Sequence, residues 1–502
     1  MAINTNRKFS TKHKTRACLY KAALLFLTVL QSVGAFAQTH YVALNGSDAP
    51  NRGSQQSPWA TISYAIDNVA DGATILVGAG TYNGQVRLDQ KFTSGIVIRS
   101  TPLYQARLRH NNGAAVICFT CQGVTLEGFD IAHSADNNRA LVIQIQTSEA
   151  RDVVLRNNII HDSTNNDLLK INNGTRDILV QGNLFYNQAG SDEHIDINSV
   201  ENVTVIDNVF FNSTSQAVTS SYVLVKDSNG NSDGIVGSKD IKIRRNIFFN
   251  WQGNSGQSFV RIGEDNTPTF EAQNVLIENN LMLGNSSRMM RSAFTVGGSK
   301  DIRFQFNTVI GDLPSRSFIR LVHGGLANEN ISLSNNIWSD PTGTLGAEGF
   351  TGADVFEALS GANASVTLDN NVYYNGGDAI PSDAGQDVNI GDDNNAKIGN
   401  PRLPLQTGIV LPVYNGNSFG GDFGTIRQVF VDLASRYGKP AAGSIAINQA
   451  SSTNVPSDDL LGATRSSNAD IGAIEVGAQP PIEPPRPRVG KVVLAWLMLL
   501  LE

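Results

Sequence analysis

Cysteine is scarce in this chain, with three in 502 residues. One, Cys18, lies in the N-terminal leader, which leaves Cys118 and Cys121 as a lone C-x-x-C. Without a second pair this spacing is a weak signal for zinc, and a local disulfide in an oxidising compartment or two ordinary thiols are the favoured alternatives. Long apolar runs are missing too. "AALLFLTVL" at 22–30 and "VVLAWLMLLL" at 492–501 both fall short of the roughly 20 residues a membrane-spanning helix needs. Positive charge is not in excess either: the formal net charge is −7, which excludes broad nucleic-acid binding.

The leader carries Arg7, Lys8, Lys12, Lys14, Arg16 and Lys21 ahead of its apolar core and ends in "GAFAQTH". This is the pattern of a secretory signal peptide, with cleavage expected after Ala37. The segment holds six cations and no acid, so its removal takes the formal net charge from −7 to −13. The mature chain is expected to be secreted, periplasmic or at the cell surface, and to be a monomer. A polyanionic ligand would need local cations or a bridging metal to overcome the overall repulsion.

What the chain has in abundance is repetition. One pattern recurs: apolar, any, apolar, two of any kind, Asn, then an apolar or aromatic cluster, as in "VVLRNNIIHD", "VTVIDNVFFN" and "VTLDNNVYYN". The recurring asparagines are Asn158, Asn183, Asn208, Asn246, Asn280, Asn307, Asn336 and Asn371, 25 to 38 residues apart. Each repeat holds period-two runs separated by Gly, Asn, Asp and Ser clusters, which is the signature of short strands and turns. Such a chain can bury its inward side chains only by winding into a solenoid whose coils stack. An Asn at the same bend of every coil then reads as a hydrogen-bonded structural ladder.

These rows resemble the repeats of right-handed parallel β-helices of the pectate-lyase-like superfold, over most of residues 40–400. The resemblance implies an all-β solenoid with a short N-terminal capping helix. "YVALNGSDAPNRGSQQSPWATISYAIDNVADGATILVGAGTY" resembles the opening module of exported bacterial β-helix proteins, with helical apolar spacing from Ala60 to Val69 and a first strand in "ATILVGAGTY". "GATRSSNADIGAIEVG" resembles their terminal segment, although Ile445, Ile447 and Asn448 replace the usual Pro and Ile-Asp of its first element. The expected organisation is a signal peptide at 1–37, an N-terminal coil and cap at 38–100, the β-helix at 101–400, its C-terminal end segment at 401–477, and a Pro-rich linker with a short apolar tail at 478–502.

Strand alternation assigns faces. If Ile145, Ile171, Ile197, Val225, Ile262, Val296 and Leu321 point inward, their neighbours form outward columns. The first reads Gln144, Lys170, Asp196, Leu224, Arg261, Thr295, Arg320; the second Gln146, Asn172, Asn198, Lys226, Gly263, Gly297, Val322. A third, one step earlier, reads Val142, Leu168, His194, Tyr222, Phe259, Ala293, Phe318. Polar and ionisable groups concentrate in the middle coils. Lys226, Arg261, Lys170 and His194 are the candidate catalytic residues; Asp196, Asn198, Asn172, Tyr222 and Arg320 are the candidate substrate contacts. Glu264 and Asp265 are the candidate metal ligands, with Ca²⁺ the cation expected.

Uronate polymers are cleaved by β-elimination when a base takes the proton α to the carboxylate and positive charge stabilises the enolate. Polysaccharide lyases of this fold that act on chondroitin or alginate pair a Lys with an Arg on neighbouring coils, and Lys226 and Arg261 resemble that arrangement. The favoured reading is therefore a secreted lyase acting on an acidic polysaccharide. The W-x-D-H and R-x-P-x-x-R signatures of classical pectate lyases, the G-H-G of pectin hydrolases and the D-P-H-D of uronate epimerases are absent. Two alternatives stand: a glycoside hydrolase using Asp192 or Glu193 with Asp196, and a non-catalytic carbohydrate-binding or adhesive surface protein.

Overall fold

A computed structural model of the protein describes residues 38–134, 141–190, 192–214, 219–252, 258–284, 290–311, 317–344, 356–382 and 385–481. From residue 39 onward these belong to one unit. The expected signal peptide and the apolar tail lie outside the described residues.

Each coil lays down three short strands. In one of the middle coils these are Glu193–Asn198, Glu201–Ile206 and Val209–Phe211, and the next coil begins at Ser221–Lys226. Equivalent strands pair in parallel from coil to coil. The first strands form a ten-stranded sheet; the second and third form two runs within a 22-stranded sheet. The fold is a right-handed parallel β-helix.

The interior column is the one alternation assigns. Ile145, Ile171, Ile197, Val225, Ile262, Val296 and Leu321 are in register and buried. From the third strands, Phe185, Phe210 and Phe248 stack at 4.9 Å between successive centroids. Ring faces one coil apart thus stack through the interior, an arrangement that a fixed register permits.

The eight asparagines form the ladder. Asn208 typifies it: its Oδ1 accepts from the backbone N–H and the side-chain amide of Asn183 at 2.8 and 3.0 Å. Its Nδ2 donates to Val180 O and to Asn246 Oδ1. All eight are fully buried, and the run ends on the carboxylate of Asp393. The residue before each asparagine is left-handed: Asn157, Gly182, Asp207, Arg245, Asn279, Phe306, Asn335 and Asn370 have φ between 50° and 66°. This positive φ makes the bend between second and third strands, and Asn, Asp and Gly accept it at least cost.

The helix Ile62–Asn68 is capped by Thr61, whose hydroxyl accepts from Tyr64 N–H, and it buries Ile62, Ala65 and Ile66 in the solenoid interior. Cys118 and Cys121 are bridged by a disulfide and fully buried, which closes the question the spacing left open.

Residues beyond 400 run back along the outside of the third strands. There the outward Ile159, Leu184, Val209, Phe211, Ile247, Leu281 and Ile310 form an apolar stripe, covered by a second helix, Ile426–Tyr437. This helix was legible yet missed: Thr425 and Gln428 make a capping box, apolar residues follow at 426, 429, 430, 433, 434 and 437, and Gly438 ends it. The D-I-G-A-I-E run docks on the coils through Gly472, whose N–H bonds Asn335 O at 2.9 Å. A Cβ there would lie 2.6 Å from Ile337, so the close approach requires glycine. No helix among the described residues is long and apolar enough to cross a membrane.

Candidate functional site on the ten-stranded sheet

Two of the three outward columns stand as the alternation predicts. Lys170, Asp196, Leu224, Arg261, Thr295 and Arg320 are successive partners in register, followed by Glu357. Asn172, Asn198 and Lys226 form the second column.

The third column is corrected. Val142, Leu168, His194, Tyr222, Phe259, Ala293 and Phe318 point inward and are buried. The reason is a departure from strict alternation at the start of these strands: Leu168 and Leu169, and likewise Tyr222 and Val223, are consecutive yet both belong to the interior cluster. Period two holds only in the straight part of a strand, so it does not carry through these positions. His194 packs between Phe210 and Tyr222, bonds Asn212 Oδ1 at 3.1 Å, and is held neutral by burial with its pKa lowered to about 3. It cannot meet a substrate as a base. Tyr222, expected as a substrate contact, instead donates inside the solenoid towards Phe249 O and Asn250 O.

The same departure accompanies a cluster that the alternation missed. Asp167, Asp192 and Glu193 bring one carboxylate oxygen each within 4.8 Å of one another. Asp196 adjoins them. Burial and then the Asp196 charge raise the Asp167 carboxyl to about 7. Burial and then Asp167 push Glu193 well up, and burial raises Asp192. Lys170 is the cation that meets them, bonding Asp196 Oδ2 and lying 3.6 Å from Asp167 Oδ2. Asp196 is 1% exposed, yet its Oδ1 has no partner among the described residues. These hard oxygen donors could hold a divalent metal ion. The signal for the cluster was the run of acids at 192–196 with Asp167 one coil earlier, readable only once the side-chain directions at the strand starts are known.

Glu264 and Asp265, expected to hold the metal, are engaged by cations instead. Lys226 Nζ lies 2.9 Å from Glu264 Oε2 and 3.6 Å from Asp265 Oδ2, while Arg261 bonds Glu264 Oε1 at 2.9 Å. Lys226 and Arg261 therefore share one face and one carboxylate. Although burial opposes it, the Asp196 and Glu264 charges hold the Lys226 ammonium above its ordinary pKa. The loop carrying Glu264 is pinned by Glu271, whose carboxylate accepts the backbone N–H groups of Glu264, Asp265 and Asn266 at 2.6 to 2.9 Å.

At the margins of the strip, Asn198 is tied to the following loop, donating to Ser228 Oγ at 2.6 Å and accepting from Ser228 N–H at 3.1 Å. Asn172 is 7% exposed with its Oδ1 unpartnered among the described residues. Arg320 and Arg291 both bond Glu357.

No family model and no curated protein matches the chain by sequence. Solved structures do match in fold. Pectate lyase Pel9A is 15% identical, with a TM-score of 0.51 over 88% of this chain and 97% of its own. The XylC complex with xylose is 12% identical, with a TM-score of 0.48 over 88% and 98%. The GH136 lacto-N-biosidase from Eubacterium ramulus is 11% identical, with a TM-score of 0.48 over 76% and 70%. Identities this low speak to architecture alone, and the chain is a parallel β-helix protein of the pectate-lyase-like superfold.

Proposed function

We propose that the chain is an exported enzyme that cleaves a uronate-containing polysaccharide by β-elimination on the ten-stranded face, using a Ca²⁺ ion held by Asp167, Asp192, Glu193 and Asp196. One observation carries this reading: four carboxyl groups crowd a nearly buried patch directly beside the coil that presents Lys226. Like charges so close must hold protons or share a cation, and the unpartnered Asp196 Oδ1 offers a further hard donor. When bound, Ca²⁺ supplies positive charge that neutralises a uronate carboxylate and favours the enolate.

The chain's own residues do the rest. Lys226 takes the α-proton as base, for which its amine must be neutral. The carboxylates that keep it charged include Asp196, so a cation shared by Asp196 weakens their hold. Arg261, one coil on, orients an anionic sugar beside it. Lys170 fixes Asp196 through their ion pair.

The test is incubation with polygalacturonate, alginate and chondroitin sulfate, with Ca²⁺ or after chelation. Ultraviolet absorbance from unsaturated uronates should rise with Ca²⁺ and stay flat after chelation. Hydrolysis is the second reading, favoured by the raised Asp167 and Glu193 carboxyls, either of which could act as a general acid. It would give new reducing ends without that absorbance, and neither signal on any glycan would sink both.

A further inference from the structure

The second strands carry an outward surface that the proposed catalytic face does not use. A cavity of about 500 Å³ opens there, lined by Arg176, Asp177, Asn202, Lys242, Leu276 and Arg303 among others. Lys242, Leu276 and Arg303 are register partners on three successive coils, so the two cations stand roughly 9–10 Å apart with an apolar step between them. That spacing is comparable with two residues of a 1,4-linked hexose chain running along the solenoid axis.

The charges differ in kind from those on the ten-stranded face. There, Lys170, Lys226, Arg261, Arg291 and Arg320 are each paired with a carboxylate. In the groove, Arg176, Lys242 and Arg303 form no ion pair or side-chain hydrogen bond among the described residues. Burial and then Arg244 lower the Lys242 pKa, outweighing the opposing charges of Asp240 and Glu278.

The acids beside them are better satisfied. Asp177 accepts the amide of Asn202 at 2.6 Å, and Asp240 accepts that of Asn274 at 2.5 Å. All four of these residues have φ between 53° and 58°, so a column of like turns forms the groove's edge. Glu201 lies alongside Arg176.

We infer that this groove is a second polysaccharide-binding site, holding a uronate-bearing strand whose carboxylates meet Lys242 and Arg303 and whose sugar face rests on Leu276. The ligand class rests on the proposed function; the groove does not. It would retain the polymer while another stretch lies on the catalytic face, a gain in effective concentration without new catalytic groups.

The test is affinity electrophoresis through gels holding polygalacturonate, or dextran as the neutral control, run on the full chain in a Lys226→Ala background so that cleavage plays no part. Adding Lys242→Ala and Arg303→Ala should weaken polygalacturonate retention roughly tenfold, about 1.4 kcal/mol, and dextran should not retard the protein. An unchanged affinity in the triple variant, equal retention by dextran, or no retention by polygalacturonate at all would each overturn the inference. Loss of elimination in the assay above would leave this readout intact, so the two ideas fail separately.

Discussion

Lys226 and Arg261 stand on successive coils and converge on one carboxylate, Glu264, each at 2.9 Å. This is the arrangement of two cations held ready and apart, with Glu264 keeping the ammonium protonated until a substrate or a metal ion alters the local field.

Replacing Lys226 by Ala should therefore remove elimination by at least roughly 100-fold. It should cost only about 1 kcal/mol of stability, because Glu264 keeps Arg261 as a partner. Initial rates of unsaturated-product formation, set beside urea unfolding, check both parts. A variant that unfolds readily would instead assign Lys226 a structural role.

Glu264→Gln removes one of the charges that raise the Lys226 pKa. The alkaline range of elimination should then extend to lower pH, since less alkalinity is needed to free the amine. A pH–rate profile indistinguishable from the parent would sink the assignment of Lys226 as base.

Asn208→Ala leaves buried groups of Asn183, Val180 and Asn246 without their partner. Orphaned buried polar groups cost about 1–3 kcal/mol each, so a loss of roughly 3 kcal/mol or more is expected in denaturant unfolding. A loss below about 1 kcal/mol would show that water replaces the amide.

His161 sits between Asp130 at Nε2 and Asp162 at Nδ1, both 2.8 Å away. Burial opposes its charge, but the two carboxylates win and raise its pKa. Its contribution to stability is fully present below the ordinary histidine pKa of about 6.5 and is lost as pH rises through the raised folded-state value. Against burial, the same pairs lower the Asp130 and Asp162 pKa values, so their share is present above about 3.8 and is lost as pH falls. His161→Gln should flatten the decline in stability on the alkaline side, measured as thermal midpoint against pH.

The Cys118–Cys121 bridge closes a very short loop. On chain-entropy grounds it contributes about 2 kcal/mol, and both residues are buried. Cys118→Ser with Cys121→Ser should fold, with an unfolding free energy lowered by that amount in denaturant titration. Failure of this double variant to fold would show that the bridge directs the first coils.

Much of the architecture is legible in the sequence. The asparagine ladder and the inward Ile and Val column follow from spacing, because both depend on one residue per coil at one bend. Faces failed where side chains depart from strict alternation. Alternation placed His194 and Tyr222 outward since it does not foresee two consecutive inward residues, and the same departure hid Asp167 and Glu193 as neighbours. Glu264 and Asp265 look like metal ligands in a linear reading because their cation partner Lys226 lies 38 and 39 residues earlier in the chain. The helix Ile426–Tyr437 had every local signal and was lost to a reading fixed on strands.

The asparagine rungs are separated by as few as 25 residues and as many as 38, yet each meets the next through the same pair of bonds. The differences in length are thus taken up outside the ladder, partly between third and first strands and partly between first and second, as in the long connection 227–237 that follows Ser221–Lys226. Those connections are natural graft points: a peptide spliced into one should be displayed at a fixed height on the rod, leaving the windings above and below unaware of it.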